Sequence, residues 1–324
     1  MLLHLFFTWM RRLLYSLVVL SITVTAQPVE YTYTDSTGTR ILQGTMLYPD
    51  VKRGKVPLVL IIAGSGPTDR DGNNRQLKSD YLKLLAEGFA QEGIASFRYD
   101  KRGVGKSTMK TNREDALVIE DFSSDAADWI RIFKSDKRFK NIIVLGHSEG
   151  SLLGMLAAQS AKANGFISLA GAGRPIDEIL KEQIKSNPFN PEQLVHDNES
   201  ILDSLKAGFE VKQINPLLQP LYRPGIQPYM ISWLKYDPAK LLKGLNMPCM
   251  IVQGSTDIQV AVKDAERLKD ARPDARFLLI EGMNHVLRDA PEERMANIAV
   301  YSQAEKPLSS ALIPALIEFI RSIK

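Results

Sequence analysis

The sequence predicts an α/β domain with a mainly parallel central sheet flanked by helices. Apolar runs rich in Val, Ile and Leu, which suit strands buried on both faces, lie at 57–63, 94–99, 141–145, 165–170, 248–253 and 276–281. Helix-like stretches separate most of these runs, at 78–92, 115–134, 149–163 and 259–270. The length of 324 residues is enough for one large domain or two small ones. Right-handed crossovers would place helices on both faces of such a sheet.

Three further segments complete the predicted domain. Residues 29–48 alternate apolar and polar positions around a turn at 35–38, which predicts an N-terminal β-hairpin. An amphipathic stretch at 308–323 predicts a final helix. Residues 174–244 are rich in proline, lack a convincing strand and carry helical patches at 176–185 and 192–208. Because a structureless loop of that length is unusual in a compact domain, we predict a helical cap at 174–244.

Residues 1–26 have the pattern of an export signal. A basic pair at 11–12 precedes an apolar core at 13–24 and a small-residue cleavage site at 24–26. The core is shorter than the roughly 20 residues that a spanning helix needs. We therefore expect a mature protein of residues 27–324, exported to the periplasm or the extracellular space, with no stable membrane insertion after the signal is removed.

Two alternatives concern the same segment. The first is an uncleaved membrane anchor. The second is a start at Met10 rather than Met1, because Met10 followed by Arg11 and Arg12 would open a more ordinary signal.

Charge and cysteine content exclude several functions. The formal charge of +4 falls to about +2 without Arg11 and Arg12, and no basic block is present, so nucleic acid is not an expected partner. Cys249 is the only cysteine, which excludes an internal disulfide and a cysteine-based metal cluster. The composition does not indicate an oligomeric state.

The most informative motif is Gly-His-Ser-Glu-Gly at 146–150. It follows the apolar run 142–145 and precedes a helix-like segment. A G-x-S-x-G pentapeptide at a strand-to-helix turn is typical of a nucleophile elbow, which exposes a serine hydroxyl on a sharp bend. We therefore predict Ser148 as a nucleophile; the alternative is an ordinary glycine-rich turn.

A serine nucleophile needs a base, and the base needs an orienting acid. His285 follows the strand-like run 276–280, and Asp257 follows the run that ends at Gln253. Each has a simpler explanation, since Asp257 could cap a helix that starts near Gln259 and His285 could be a packed surface histidine. Their joint occurrence with Ser148, each at a strand end, favours a catalytic triad.

An oxyanion also needs hydrogen-bond donors. We expect one to be the backbone N–H of Glu149, which follows the nucleophile, and another to come from Ser65 or Gly66, after the run 57–63. The alternative for the segment 64–67 is a plain turn. The Glu149 side chain has three possible roles: repelling anionic substrates, positioning the oxyanion loop, or lying solvated at a helix start.

Two other patterns do not support a cofactor. Residues 103–107 resemble the end of a phosphate-binding loop, but the glycine that the full motif requires is replaced by Asp100. The spacing of Asp69, Asp71, Asp100 and Glu149 matches neither a calcium loop nor a zinc motif. We therefore predict no cofactor and no metal, and expect these carboxylates to organise loops.

In combination, five segments resemble the serine esterases of the α/β-hydrolase fold, and most closely the secreted bacterial carboxylesterases with a helical cap; these segments are 63–72, 98–107, 146–150, 254–260 and 282–285. The resemblance covers most of residues 57–290. It implies Ser148 as nucleophile, His285 as base and Asp257 as its partner. Many relatives carry histidine at the start of the oxyanion loop, where this chain has Ala63. The cap matches no family pattern, so the resemblance does not identify a substrate.

The first functional hypothesis is a carboxylic ester hydrolase for small to medium acyl groups. Side chains in the cap either line an apolar acyl pocket or form the cap's own core, namely Leu217, Leu218, Leu221, Tyr222, Tyr229, Met230 and Trp233. The second hypothesis is a peptidase or amidase, for which Asp177, Glu178 and Glu182 are candidate partners of a substrate amine. The third is a non-catalytic exported binding protein that retains the fold.

Overall fold

The computed structural model describes residues 26–50, 54–110 and 113–324. The predicted export signal, apart from Ala26, lies outside the described residues. Within the described ranges, no helix is both long and apolar enough to cross a membrane.

A single nine-stranded sheet forms the centre of the domain. Its strands are β1 (Pro28–Thr34), β2 (Arg40–Leu47), β3 (Val56–Ile62), β4 (Ala95–Tyr99), β5 (Thr108–Met109), β6 (Phe139–His147), β7 (Gly165–Leu169), β8 (Cys249–Gly254) and β9 (Arg276–Ile280). They lie in the order β1-β2-β4-β3-β6-β7-β8-β9, and β5 pairs with β2. Six neighbouring strands of this order are parallel: β4, β3, β6, β7, β8 and β9. The strands β1, β2 and β5 pair antiparallel. The predicted hairpin and mainly parallel sheet are thus confirmed.

Eleven α-helices lie in the described part of the chain. They are α1 (Tyr81–Gln91), α2 (Ile119–Lys134), α3 (Glu149–Ala161), α4 (Ile176–Ser186), α5 (Glu192–Lys206), α6 (Gln219–Tyr222), α7 (Gln227–Trp233), α8 (Pro238–Lys243), α9 (Val262–Ala271), α10 (Arg294–Val300) and α11 (Leu312–Ser322).

Helices cover both faces of the sheet. On one face, α2 buries Trp129 and Phe133 against the sheet, together with side chains of α3, α8 and α9. On the other face, α1 and α11 bury side chains such as Phe89 and Leu316. Every residue of β3 is consequently buried. This two-sided burial explains why the central strands are continuous apolar runs rather than alternating ones.

Two predicted helix starts are wrong by three residues, for identifiable reasons. The helix predicted from 78 begins at Tyr81, because Asp80 has a left-handed backbone with φ 53° and interrupts regular helical geometry. The helix predicted from 259 begins at Val262. There the Asp257 carboxylate accepts the N–H groups of Gln259 and Val260 at 2.8 and 3.0 Å, which holds a turn before the helix.

The segment 174–244 is helical, with its own apolar cluster. Side chains of α4 to α7 pack on one another, including Ile201, Leu202 and Tyr222. Within this segment α8 packs differently, because its Ala239 and Leu242 belong to the apolar cluster between the sheet and the helices α2, α3 and α9. The part that packs as a separate layer therefore ends before α8.

Candidate active site

Ser148 lies on a strained turn between β6 and α3. Its backbone has φ 55° and ψ −123°, a region that non-glycine residues rarely adopt and that functional sites often retain. The flanking glycines permit this turn. A Cβ on Gly146 would lie 2.0 Å from the carbonyl oxygen of Gly150, and a Cβ on Gly150 would lie 2.3 Å from that of Ile62. No side chain fits at either position, so the glycine spacing is a steric requirement of the bend.

Asp257 and His285 form a buried pair at the carboxyl ends of β8 and β9. The Nδ1 atom of His285 lies 2.7 Å from Oδ2 of Asp257, and both side chains are almost completely buried. An ionised carboxylate only accepts hydrogen bonds, so Nδ1 carries the proton. In the neutral imidazole Nε2 is then unprotonated and can act as a base.

The environment keeps Asp257 ionised. Burial alone would raise the pKa of Asp257, but the adjacent His285 and the N–H groups of Val260 and Gln259 outweigh it, so the pKa lies below its usual value. Asp257 therefore does two things at once: it holds the turn before α9 and it orients the imidazole. The sequence had presented these roles as alternatives.

The structure brings Ser148 to the same edge of the sheet as this pair. The residue before Ser148 is His147, and its Nε2 atom lies 2.8 Å from the carbonyl oxygen of His285. Among the described residues, no hydrogen bond joins Ser148 Oγ to His285. Nucleophile and base are often separated in this way before substrate binds.

His147 connects the turn at Ser148 to the loop that carries His285. Because the carbonyl of His285 can only accept, His147 donates from Nε2 and accepts at Nδ1 from the Tyr81 hydroxyl, 3.1 Å away. Burial and the neighbouring His285 lower the pKa of His147 to about 3, so it remains neutral near pH 7. From the sequence alone, His147 had no predicted role beyond its place in the motif at 146–150.

The candidate oxyanion donors and Ser148 line one cavity of about 340 Å³, which we call the catalytic lobe; Ser65, Gly66 and Glu149 are among its lining residues. Glu149 is the first residue of α3. Its N–H therefore has no partner within the helix and lies at the positive end of the helix dipole.

The Glu149 side chain is buried in an ion pair, so of its three possible roles the solvated carboxylate at a helix start is wrong. Lys101 Nζ lies 2.9 Å from Glu149 Oε1, and the two side chains are 4% and 3% exposed. The same ammonium donates to the carbonyl oxygen of Gly64 at 2.5 Å. Tyr229 lines the same cavity as Glu149, and burial together with this carboxylate raises the pKa of Tyr229 well above its usual value.

Other carboxylates organise nearby loops, as expected. Asp100 accepts the backbone N–H groups of Arg70 and Lys106, each at 2.8 Å, and pairs with the Arg70 guanidinium at 2.8 Å. The segments 64–72 and 100–107 are thereby joined next to the catalytic lobe.

The cap side chains proposed for an acyl pocket divide into three groups. Leu221, Tyr229, Met230 and Trp233 line the catalytic lobe. Leu218 and Tyr222 lie in the core of the cap, and Leu217 is 69% exposed. Four of the seven side chains thus line the cavity beside Ser148, and one of these four, Met230, also belongs to the core of the cap.

The strand order, with Ser148 after β6 and with Asp257 and His285 after β8 and β9, defines the class of protein as an α/β hydrolase. Residues 78–291 match the model of the Hydrolase_4 family, described as serine aminopeptidase, S33, and the chain belongs to this family. The matched range includes Ser148, Asp257 and His285 but begins after Ser65 and Gly66.

One curated relative is the esterase EstD of Thermotoga maritima, which is 32% identical over 254 residues. The alignment covers 72% of this chain and 55% of EstD, so the chain spans about half the length of the curated relative that it matches.

Solved structures share the fold at low sequence identity. Est1E from Butyrivibrio proteoclasticus, with ferulic acid bound, has a TM-score of 0.57 and 17% identity over 90% of this chain and 97% of its own. A thermophilic esterase from Thermogutta terrifontis, with malate bound, has a TM-score of 0.54 and 18% identity, over 92% and 99%. The α/β hydrolase GrgF from Penicillium has a TM-score of 0.60 and 17% identity, over 92% and 99%.

Proposed function

We propose that the protein is a serine carboxylic ester hydrolase that acts on small to medium acyl esters through an acyl-enzyme intermediate. The observation that carries this proposal is the 2.7 Å hydrogen bond between His285 and Asp257, at the sheet edge that presents Ser148 on its strained turn. The likeness to the esterase EstD supports the choice of ester substrates.

In the proposed reaction, Ser148 Oγ attacks the ester carbonyl carbon while His285 Nε2 takes the serine proton. Asp257 holds the imidazole in the required tautomer and stabilises the imidazolium. The tetrahedral intermediate then collapses: the bond to the alcohol oxygen breaks, and His285 passes the proton to the departing alcohol. Water, activated by the same histidine, hydrolyses the acyl-serine and restores Ser148.

The negative oxygen of the intermediate needs donors that are fixed before the reaction. We assign this role to the backbone N–H of Glu149 and those of Ser65 or Gly66. The Lys101 ammonium supports the arrangement by binding both Glu149 and the carbonyl oxygen of Gly64. Removal of one oxyanion donor costs about 10²–10³ in kcat in serine hydrolases.

The catalytic lobe favours a modest acyl group. Its volume of about 340 Å³ is near the lower end of the roughly 300–1,000 Å³ of small-molecule sites. Its lining is mostly apolar, with Leu152, Ile179, Leu180 and Trp233 among the contributing side chains. We therefore propose neutral esters with short or medium acyl chains as substrates.

A peptidase or amidase is the second candidate, because the family description names an aminopeptidase. An aminopeptidase usually needs a carboxylate for the substrate amine. Among the described residues, Glu149 is the one carboxylate that lines the catalytic lobe, and Lys101 already neutralises it. The acids proposed from the sequence are paired elsewhere: Asp177 with Lys206, Glu182 with Arg174 and Lys263, and Glu178 with Arg267.

The two candidates differ in a direct comparison of substrates. We expect kcat/KM for a short-chain acyl ester to exceed that for an aminoacyl anilide by orders of magnitude. Faster cleavage of the anilide would overturn the esterase proposal in favour of the peptidase. If neither substrate is cleaved and a fluorophosphonate probe leaves Ser148 unlabelled, the protein is a binding protein that retains the fold.

We further propose export of the protein, on the basis of the basic, apolar and small-residue pattern of residues 1–26. Mass spectrometry of the secreted or periplasmic protein is expected to find Gln27 at the N-terminus. An intact segment 1–26 in a membrane fraction would instead support the uncleaved anchor.

A further inference from the structure

A second cavity lies directly beside the catalytic lobe. Its volume is about 390 Å³, and we call it the second lobe. Gly66, Glu149, Ile226 and Tyr229 line both cavities. The two lobes therefore meet at a wall that includes two of the residues assigned to the oxyanion site.

The lining of the second lobe combines apolar side chains with charged side chains that are neutralised in ion pairs. Its apolar side chains are those of Pro67, Val104, Met109, Leu117, Phe122 and Ile226. Each cation in its lining has an acidic partner: Lys101 pairs with Glu149, Arg102 with Asp125, and Arg223 with Glu114. A charged ligand would have to compete with these existing pairs. The lining thus favours a neutral, apolar group.

An ion pair fixes one side chain of the wall between the lobes: Lys101 Nζ lies 2.9 Å from the Glu149 carboxylate. Tyr229 of the cap lines both cavities and so contributes to the same wall. An ester whose carbonyl oxygen is bound by the backbone of Gly66 and Glu149 would lie across this wall, with one substituent directed into each lobe.

The chemistry decides which substituent belongs in which lobe. The acyl group becomes covalently bonded to Ser148, and Ser148 lines the catalytic lobe but is not among the residues that line the second. The acyl group must therefore remain in the catalytic lobe. The alcohol only has to reach the carbonyl carbon before it departs.

We propose that the second lobe is the binding site for the alcohol part of the substrate, and that it takes neutral, apolar alcohols up to arylalkyl size. This inference rests on the proposed esterase function and adds the substrate class on the leaving-group side. Since the cap contributes Arg223, Ile226 and Tyr229 to this lobe, the cap would select alcohols as well as acyl groups.

The test uses three esters and a matched pair of variants. Ethyl acetate has two small substituents, 2-phenylethyl acetate has a large alcohol, and ethyl 3-phenylpropanoate has a large acyl group. Val104→Trp fills the second lobe, and Leu221→Trp fills the catalytic lobe; both positions are half-buried aliphatic side chains that line only one lobe. Neither residue belongs to the proposed catalytic machinery.

We expect Val104→Trp to lower kcat/KM for 2-phenylethyl acetate by on the order of 10-fold or more, with the other two esters within about 2-fold of the wild type. Leu221→Trp should lower the rate for ethyl 3-phenylpropanoate by a similar factor and spare 2-phenylethyl acetate. Comparing each variant with the wild type on the same ester cancels differences in intrinsic reactivity.

Other outcomes overturn the inference. If Val104→Trp impairs ethyl 3-phenylpropanoate selectively, the second lobe holds the acyl group. If it affects all three esters equally, or none, the cavity does not select the alcohol. Failure of the wild type on all three esters would instead contradict the proposed function itself, so the two failures are distinguishable.

Discussion

Lys101 Nζ lies 2.9 Å from the Glu149 carboxylate and 2.5 Å from the Gly64 carbonyl oxygen. One buried ammonium thereby joins the segment 64–67, which carries proposed oxyanion donors, to the residue that follows Ser148. The contact spans 48 positions of the chain, from the loop after β4 to the start of α3. It fixes the distance between the two proposed sources of oxyanion donors.

Removing one partner of the Lys101–Glu149 ion pair should lower the free energy of unfolding of the protein. Lys101→Met leaves a buried carboxylate without its partner, and such losses typically destabilise a protein by about 3–5 kcal/mol. The double variant Lys101→Met with Glu149→Leu removes both charges and should recover much of that loss. Urea unfolding of the wild type, both single variants and the double variant measures the coupling. Strictly additive free energies of unfolding would show that the pair does not interact.

We expect Asp257 to raise kcat by holding His285 in the tautomer that is protonated at Nδ1. Asp257→Asn replaces an acceptor with an amide that can donate to Nδ1 and stabilise the wrong tautomer, and such a change lowered kcat by about 10⁴ in a serine protease. We expect a loss of about 10³–10⁴ in kcat for a short-chain ester, with little change in KM. If the Asp257→Asn protein folds and retains wild-type kcat, Asp257 is not part of the triad.

The buried His147 should make stability depend on pH. Its pKa of about 3 in the folded protein is lower than the roughly 6.5 of an unfolded chain. Between these values the unfolded state binds more protons, so the stabilisation is complete above about pH 6.5 and is lost as the pH falls toward 3.

A variant isolates this contribution. His147→Asn lacks the titrating group, and the pH dependence of its free energy of unfolding should be shallower than that of the wild type by up to about 1.4 kcal/mol per pH unit between pH 6.5 and 3. Chemical unfolding at several pH values measures the difference. Parallel curves for the two proteins over this range would contradict a buried, neutral His147.

The elbow glycines should tolerate no side chain. A Cβ at position 150 would meet the Ile62 carbonyl oxygen at 2.3 Å, a contact with backbone that cannot rotate away. Gly150→Ala should destabilise the protein by at least about 1–3 kcal/mol. Gly244→Ala is the matched control, because its nearest neighbour would be 3.5 Å away. Equal melting temperatures for the two variants would contradict the steric account.

Sequence patterns predicted the sheet because its central strands are buried on both faces and therefore form apolar runs that need no knowledge of their neighbours. The turn at Ser148 was predictable for a similar reason, since the requirement for Gly146 and Gly150 arises within five residues. By contrast, α10 (Arg294–Val300) was missed: it has only seven residues, too few to show a helical period.

The parts of the site that sequence could not predict depend on distant contacts. Tyr81 and His147 are 66 positions apart, and no local pattern relates them. Likewise, the placement of Tyr229 against Glu149 depends on how the cap packs over the sheet. The sequence could identify Glu149 as the neighbour of Ser148, but only the three-dimensional arrangement shows that its carboxylate is paired and buried.

The most direct test of the account is hydrolysis of a short-chain acyl ester by residues 27–324, with and without Ser148→Ala. We predict turnover by the wild-type protein and a loss of at least about 10⁴-fold in kcat for the variant, with an unchanged circular dichroism spectrum and melting temperature. Hydrolysis by a folded Ser148→Ala protein at the wild-type rate would contradict the assignment of Ser148 as the nucleophile.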